Sequence, residues 1–212
     1  MAKVLLTPSI LTASIAVAQK QVKLFHSFCP RLHLDLMDGV FVAQRSFSPK
    51  QLMKLRLPRQ TSAHLMVHDP SEWMSQGVQA GIRSFILHTS SDFTPVLLRE
   101  LSAQYTLRLA VRPGVSLSEV KKLAKYAKGL HVMTVEPGRQ GGPFLPAQIS
   151  VLRRLRKLYP RMSISVDGHM NADTIPLAVE AGANEIILGS VLTRSREPKK
   201  VFHALQKIAQ AV

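Results

Sequence analysis

A strand-length apolar run recurs about every 25 residues along this chain of 212, and nearly every run is followed by residues spaced for an amphipathic helix. The runs are Val4 to Ile10, residues 31 to 37, Thr61 to Val67, Ser84 to His88, Leu107 to Val111, Leu130 to Val135, Ser163 to Val166 and Glu185 to Leu188. After the first run the helical face includes Ile15, Val17, Ala18, Val22 and Phe25. Ser48-Pro49 supplies an N-cap and a first-turn proline for a short helix, and Pro70 opens one that runs to Ala80 and stops at Gly81. Ser116 begins another with Glu119 at capping-box spacing. Helices are further expected around Ile149 to Leu158, through Ala181, and from beyond Ser190 to the C-terminus. Such a succession predicts a (β/α)8 TIM barrel, with residues 1–212 forming a single catalytic domain. An open doubly wound sheet fits less well: no glycine-rich dinucleotide loop follows the first strand, and polar residues stand at the exits of nearly every strand instead of at one switch point.

Composition narrows the class. With 46% apolar residues the chain can fill one extended core, and no linker or low-complexity segment divides it. No apolar stretch reaches the length of a membrane span and the N-terminus has no signal-like region, so a cytoplasmic protein without a membrane partner is expected. Cys29 is the only cysteine, which excludes an intrachain disulfide and a thiolate zinc cluster. The net charge of +15 favours an anionic partner. Arg153, Arg154, Arg156 and Lys157 alternate with Leu152, Leu155 and Leu158 as a solvated helix face does. No nucleic-acid-binding motif accompanies them, and a basic surface around an anionic small-molecule site is the better reading.

One strand is chemically unusual. In Leu32-His33-Leu34-Asp35-Leu36-Met37-Asp38-Gly39 the period of two puts His33, Asp35 and Met37 on one face and Leu32, Leu34 and Leu36 on the other. An imidazole and a carboxylate inside a packed barrel need a partner or a metal to offset desolvation. Because all strand exits of a barrel meet at one mouth, Ser9, His33, Asp35, Met37, His64, Met66, His88, Met133, Asp167, Gly168, Gly189 and Ser190 become neighbours there. His33, Asp35, His64 and Asp167 then form an N2O2 set suited to one divalent ion: Zn²⁺, Mn²⁺ or Fe²⁺. Gly138, Gly141 and Gly142 after the sixth strand, Gly168 after the seventh and Gly189-Ser190 after the eighth offer backbone N–H groups where barrel enzymes hold phosphate.

Thr7-Pro8-Ser9-Ile10-Leu11, His33-Leu34-Asp35-Leu36-Met37-Asp38-Gly39-Val40-Phe41-Val42, His64-Leu65-Met66-Val67, Met133-Thr134-Val135-Glu136-Pro137-Gly138 and Val166-Asp167-Gly168 resemble, in order and spacing, the signature blocks of the ribulose-phosphate 3-epimerase family. The resemblance implies a metal-dependent barrel that interconverts D-ribulose 5-phosphate and D-xylulose 5-phosphate, and a homo-oligomer. It also implies that Asp35 accepts and Asp167 donates the proton in one direction, that Met37, Met66 and Met133 flank the enediolate, and that Ser9 and His64 contact substrate. Inversion at C3 of a ketose needs two acid/base groups on opposite faces of a planar intermediate, which two carboxylates can supply.

The chain departs from the family pattern around the substrate. Arg139 and Gln140 stand where Phe-Gly is usual, His169 replaces a glycine after the seventh strand, and Arg112 takes the place of an Asn after the fifth. Arg139 and Arg112 are candidate contacts to the phosphate or another anionic group, and His169 joins the substrate-binding set. A ketohexose 6-phosphate such as D-allulose 6-phosphate is therefore an alternative substrate. A non-catalytic sugar-phosphate-binding barrel is the alternative of another class.

Overall fold

The computed structural model describes residues 3–89, 95–138 and 141–212. Its strands are β1 (Leu5–Ile10), β2 (Arg31–Met37), β3 (Gln60–Met66), β4 (Ser84–His88), β5 (Thr106–Val111), β6 (Gly129–Met133), β7 (Ser163–Asp167) and β8 (Glu185–Leu188). They are parallel and close into a barrel in sequence order, β1 pairing with both β2 and β8. Around them lie α1 (Ile15–His26), α2 (Ser71–Gln79), α3 (Pro95–Gln104), α4 (Leu117–Ala124), α5 (Ala147–Leu158), α6 (Thr174–Glu180), α7 (Ser190–Thr193) and α8 (Pro198–Gln210), with a 3₁₀ turn at Pro49–Lys54. Among the described residues no helix is long and apolar enough to cross a membrane.

The alternation expected in β2 is what separates the two interiors. Leu32, Leu34 and Leu36 are fully buried in the apolar layer between barrel and helices, packed in the same core as Val22, Phe25, Leu152 and Ile175. Met37 instead joins Met66 and Met133 in a second, separate apolar cluster. Local signals behave as expected at α4, where the Glu119 N–H donates to Ser116 Oγ at 3.2 Å and the Ser116 N–H to Glu119 Oε2 at 3.0 Å.

Three expectations need correction. The sixth strand stops at Met133 and not Val135. Thr134 still donates its N–H to the Asp167 carbonyl (2.8 Å) and its hydroxyl to that of Gly168 (2.5 Å), but Gly168 turns the neighbouring chain away at φ +112°. A Cβ at Gly168 would lie 2.7 Å from Val135 Cγ2, so only glycine fits there. The helix expected to run on to the C-terminus is two helices: α7 ends at Thr193, and Pro198, in the first turn where its missing N–H is not needed, starts α8. Between β4 and β5, where no helix had been named, α3 packs Leu98 and Leu101 inward; two apolar contacts in ten residues make a faint helical period.

Glu185, the first residue of β8, is buried with Arg108 of β5 and accepts a 2.5 Å hydrogen bond from Thr7 Oγ1. Burial raises its pKa, but the Arg108 guanidinium outweighs this and holds the carboxyl below its usual value. Stability from this pair is present above the unfolded glutamate value of 4.5 and is lost as pH falls through the lower folded value. Glu185→Gln is expected to destabilise the protein by about 2 kcal/mol at neutral pH in denaturant titration, since the half-buried Arg108 loses its counter-charge and charge-assisted hydrogen bond. The gap to wild type should narrow in acid, where Glu185 itself becomes neutral. A gap independent of pH would make the contribution one of packing.

Candidate active site

Four strands bring ionisable side chains to one point inside the barrel mouth. From β2, His33 Nε2 stands 3.2 Å from Asp35 Oδ1, and from β7 Asp167 Oδ2 lies 3.9 Å from the same nitrogen. From β3, His64 Nδ1 reaches Asp35 Oδ1 at 3.0 Å. From β6, His131 Nε2 lies 3.6 Å from Asp167 Oδ2. All three imidazoles are fully buried. Behind them, His64 Nε2 meets His88 Nε2 at 2.9 Å, and the His88 ring packs against Phe41.

The two carboxylates are driven apart electrostatically. Burial disfavours the charge on Asp35, but His33 and then His64 more than offset this by charge and hydrogen bonding, holding Asp35 well below the ordinary carboxylate range. At Asp167 burial and the negative charge of Asp35 outweigh the His33 charge and the Gly168 N–H, and push it up to about 7. His33 is raised, since the charge and hydrogen bond of Asp35 outweigh its own burial, whereas burial dominates at His64 and lowers it. His88 and His131 fall well below the usual value through burial and neighbouring positive charge, and remain neutral.

A divalent cation fits this donor set. His33, His64, His131 and Asp167 each offer a ligand atom, and these atoms all lie within 4.8 Å of one another. His131 Nε2 is buried with no hydrogen-bond partner among the described residues, an arrangement that costs free energy unless something fills it. Asp35 stands between His33 and His64, where it can turn an oxygen to the same ion.

Around this centre the cavity is lined by Ser9, Asp35, Met66, Met133, Asp167 and, on its other side, the turn residues Gly138, Gly141, Gly168, Gly189 and Ser190. The sequence profile of the Ribulose-phosphate 3 epimerase family matches residues 5–193, nearly the whole barrel. The chain belongs to the ribulose-phosphate 3-epimerase family. It is 34% identical over 95% of its length to "Ribulose-phosphate 3-epimerase, cytoplasmic isoform" of Oryza sativa subsp. japonica, covering 92% of that protein. It is 30% identical to ribulose-phosphate 3-epimerase of Mycobacterium leprae, over 98% of this chain and 96% of that one. In fold it is similar to 3-hexulose-6-phosphate synthase from Salmonella typhimurium, with a TM-score of 0.69 at 15% identity over 96% and 97% of the two chains.

For this epimerase-family chain, the predicted ligands His33, Asp35, His64 and Asp167 all meet at the mouth, as do Ser9, Met66, Met133 and the cradle residues Gly138, Gly141, Gly168, Gly189 and Ser190. Met37 packs with Met66 and Met133, joined by Leu11, Phe41 and Val42. Gly142 contributes its carbonyl, which accepts from His169 Nδ1 at 2.9 Å, so its backbone helps hold that side chain. His169 itself adopts φ +54°, a left-handed conformation that explains why a glycine is usual at this position. Arg112 is half-buried and is not among the residues that line the cavity; its charge adds to burial and to the charge of His64 in depressing the pKa of His88. Arg139 and Gln140 lie outside the described residues.

Two residues escaped the sequence reading. His131 carried the same signal as His64, a histidine in an apolar strand two residues before an inward methionine, and its parity with Met133 would have found it. Arg194 follows α7 and places Nη2 2.9 Å from where a Gly141 Cβ would be, beside His169 and Ser190. One arginine in a basic tail has no periodicity to distinguish it.

Proposed function

We propose that this chain catalyses the 3-epimerisation of a ketose phosphate, D-ribulose 5-phosphate to D-xylulose 5-phosphate, by two-base proton transfer between Asp35 and Asp167. The observation that carries the reading is the pair of carboxylates flanking His33 Nε2, Asp35 at 3.2 Å and Asp167 at 3.9 Å. A base ready to accept and an acid ready to donate are what inversion through a planar enediolate requires. Asp35 takes the C3 proton from one face, Asp167 delivers one to the other, and the reverse reaction exchanges their roles.

His33, Asp35, His64 and Asp167 would hold the divalent ion. Bound there, such an ion would supply Lewis-acid stabilisation of the negative charge left when the proton departs. Met37, Met66 and Met133 pack over the reacting carbons with polarisable thioethers that donate no proton. Backbone N–H groups at Gly168, Gly189 and Ser190 receive the phosphate. The name of the rice relative supports a cytoplasmic setting.

Proton NMR in D₂O with the purified protein and a panel of ketose phosphates tests this directly. Deuterium at C3 together with formation of the pentulose epimer is expected. Turnover confined to D-allulose 6-phosphate would move the substrate to the hexuloses, and no exchange with any sugar would leave a non-catalytic sugar-phosphate-binding barrel.

Arg194 adds charge to the phosphate end. An arginine–phosphate contact contributes about 1.5–3 kcal/mol, so Arg194→Ala should raise KM for the phosphorylated substrate at least about tenfold with little change in kcat. An unchanged KM would assign Arg194 to the basic surface.

A further inference from the structure

The third imidazole is built into the barrel in the same way as the first. His33 sits in register with Ser62 of β3, and His131 in register with Ser165 of β7. In each pair the serine hydroxyl points at the carbonyl of the residue before the histidine, Ser62 Oγ to Leu32 O at 3.5 Å and Ser165 Oγ to Leu130 O at 3.2 Å. In each pair the histidine's Nδ1 approaches the same serine oxygen, at 3.2 Å for His33 and 2.9 Å for His131. A serine has one proton. If that proton goes to the carbonyl, the oxygen can only accept, so Nδ1 of each histidine carries the hydrogen and donates it. For His131, whose Nε2 has no hydrogen-bond partner among the described residues, the tautomer follows: Nε2 bears a lone pair, whereas His33 Nε2 donates to Asp35 until a cation displaces its proton.

For His131 that lone pair is aimed into the cluster. Nε2 is buried, has no hydrogen-bond partner among the described residues, and faces Asp167 Oδ2 at 3.6 Å. The rings of His33 and His131 are stacked with centroids 5.3 Å apart, and His64 lies 4.7 Å from His131. A lone pair facing a carboxylate oxygen across a gap too long for a hydrogen bond is an arrangement that a cation between them would satisfy. Outer-nitrogen hydrogen bonding that fixes the tautomer is likewise the usual accompaniment of a ligating histidine.

We propose that His131 is a third imidazole ligand, so that this chain holds its metal with three nitrogens beside its carboxylates and selects nitrogen-preferring ions such as Zn²⁺ and Co²⁺ over Mn²⁺. The proposal rests on the metal-dependent reading above and extends it to the choice of ion. Imidazole strengthens binding of zinc and cobalt far more than of manganese, for which oxygen donors suffice. Removing His131 therefore shifts ion preference, and does not weaken all ions equally.

The test uses the full chain stripped of metal and reloaded with cobalt(II). In the wild-type protein, proton NMR of the cobalt form should show three exchangeable, strongly shifted imidazole N–H resonances, one per ligating histidine. His131→Gln should lose one of them. Competition against a chromophoric chelator should show zinc affinity down by about tenfold or more, with manganese affinity nearly unchanged. Two shifted resonances in wild type, or equal loss of zinc and manganese affinity in the variant, would overturn the proposal while leaving the epimerase reading intact. A wild-type protein that takes up no cobalt would overturn both. The wild-type count decides the matter even if His131→Gln fails to fold.

Discussion

Asp35→Asn and Asp167→Asn are each expected to abolish epimerisation, with kcat lowered by about 10²–10⁴-fold, while one half of the reaction survives in each. An amide keeps the shape and the acceptor oxygen of the carboxylate but cannot take up or release the C3 proton. With Asp167 replaced, Asp35 can still remove a proton from its own face and return deuterium to the same face. With Asp35 replaced, the same holds for Asp167 and the opposite epimer. In D₂O each variant should therefore exchange C3 of one epimer without inverting it, and the two variants should choose different epimers. The proximity of both carboxylates to His33 Nε2, at 3.2 and 3.9 Å, means that bound metal must be measured alongside. Wild-type-like epimer formation in either variant, with metal retained, would refute the two-base assignment.

Most of the architecture was readable because it rests on repetition. Each strand carries its own alternation and each exit its own turn residues, so errors at one unit do not propagate to the next. The ends of elements were less legible because they are decided elsewhere in the chain. The loss of Thr134 and Val135 from β6 depends on Gly168, some 34 residues away, and the last helix restarts at Pro198 after α7 has ended at Thr193. In the site, His33 and Asp35 were visible because two polar residues at i and i+2 among leucines are conspicuous. His131 was passed over because it stands alone in its strand; only the closed barrel shows that it and His33 are stacked neighbours. Arg112 illustrates the opposite limit. Its position after β5 suggested the mouth, but a long side chain can turn either way, and Arg112 is not among the residues that line the cavity.

Replacing His33 or His64 by Ala is expected to strip the protein of bound metal, and the size of the loss should follow the order of contact. His33 and His64 touch Asp35 directly at the centre, whereas His88 reaches it only through His64 Nε2. A residue that orients a ligand typically changes metal affinity by about 10–100-fold, so His88→Ala should fall in that range and the two inner variants beyond it. Elemental analysis after dialysis against a weak chelator gives the ranking. Full occupancy in His33→Ala or His64→Ala would make those histidines structural. Stability provides an independent reading of the same variants. Asp35 is kept ionised in its buried site by His33 and His64, and its folded pKa lies below the unfolded value, so its contribution is present at neutral pH and lost in acid. Without His33, burial wins and the carboxyl is driven upwards, which reverses the sign: the metal-free variant should be less stable than metal-free wild type at pH 7, and the difference should shrink as acid neutralises Asp35. A constant difference across that range would mean that His33 fills space in the barrel and carries no charge balance.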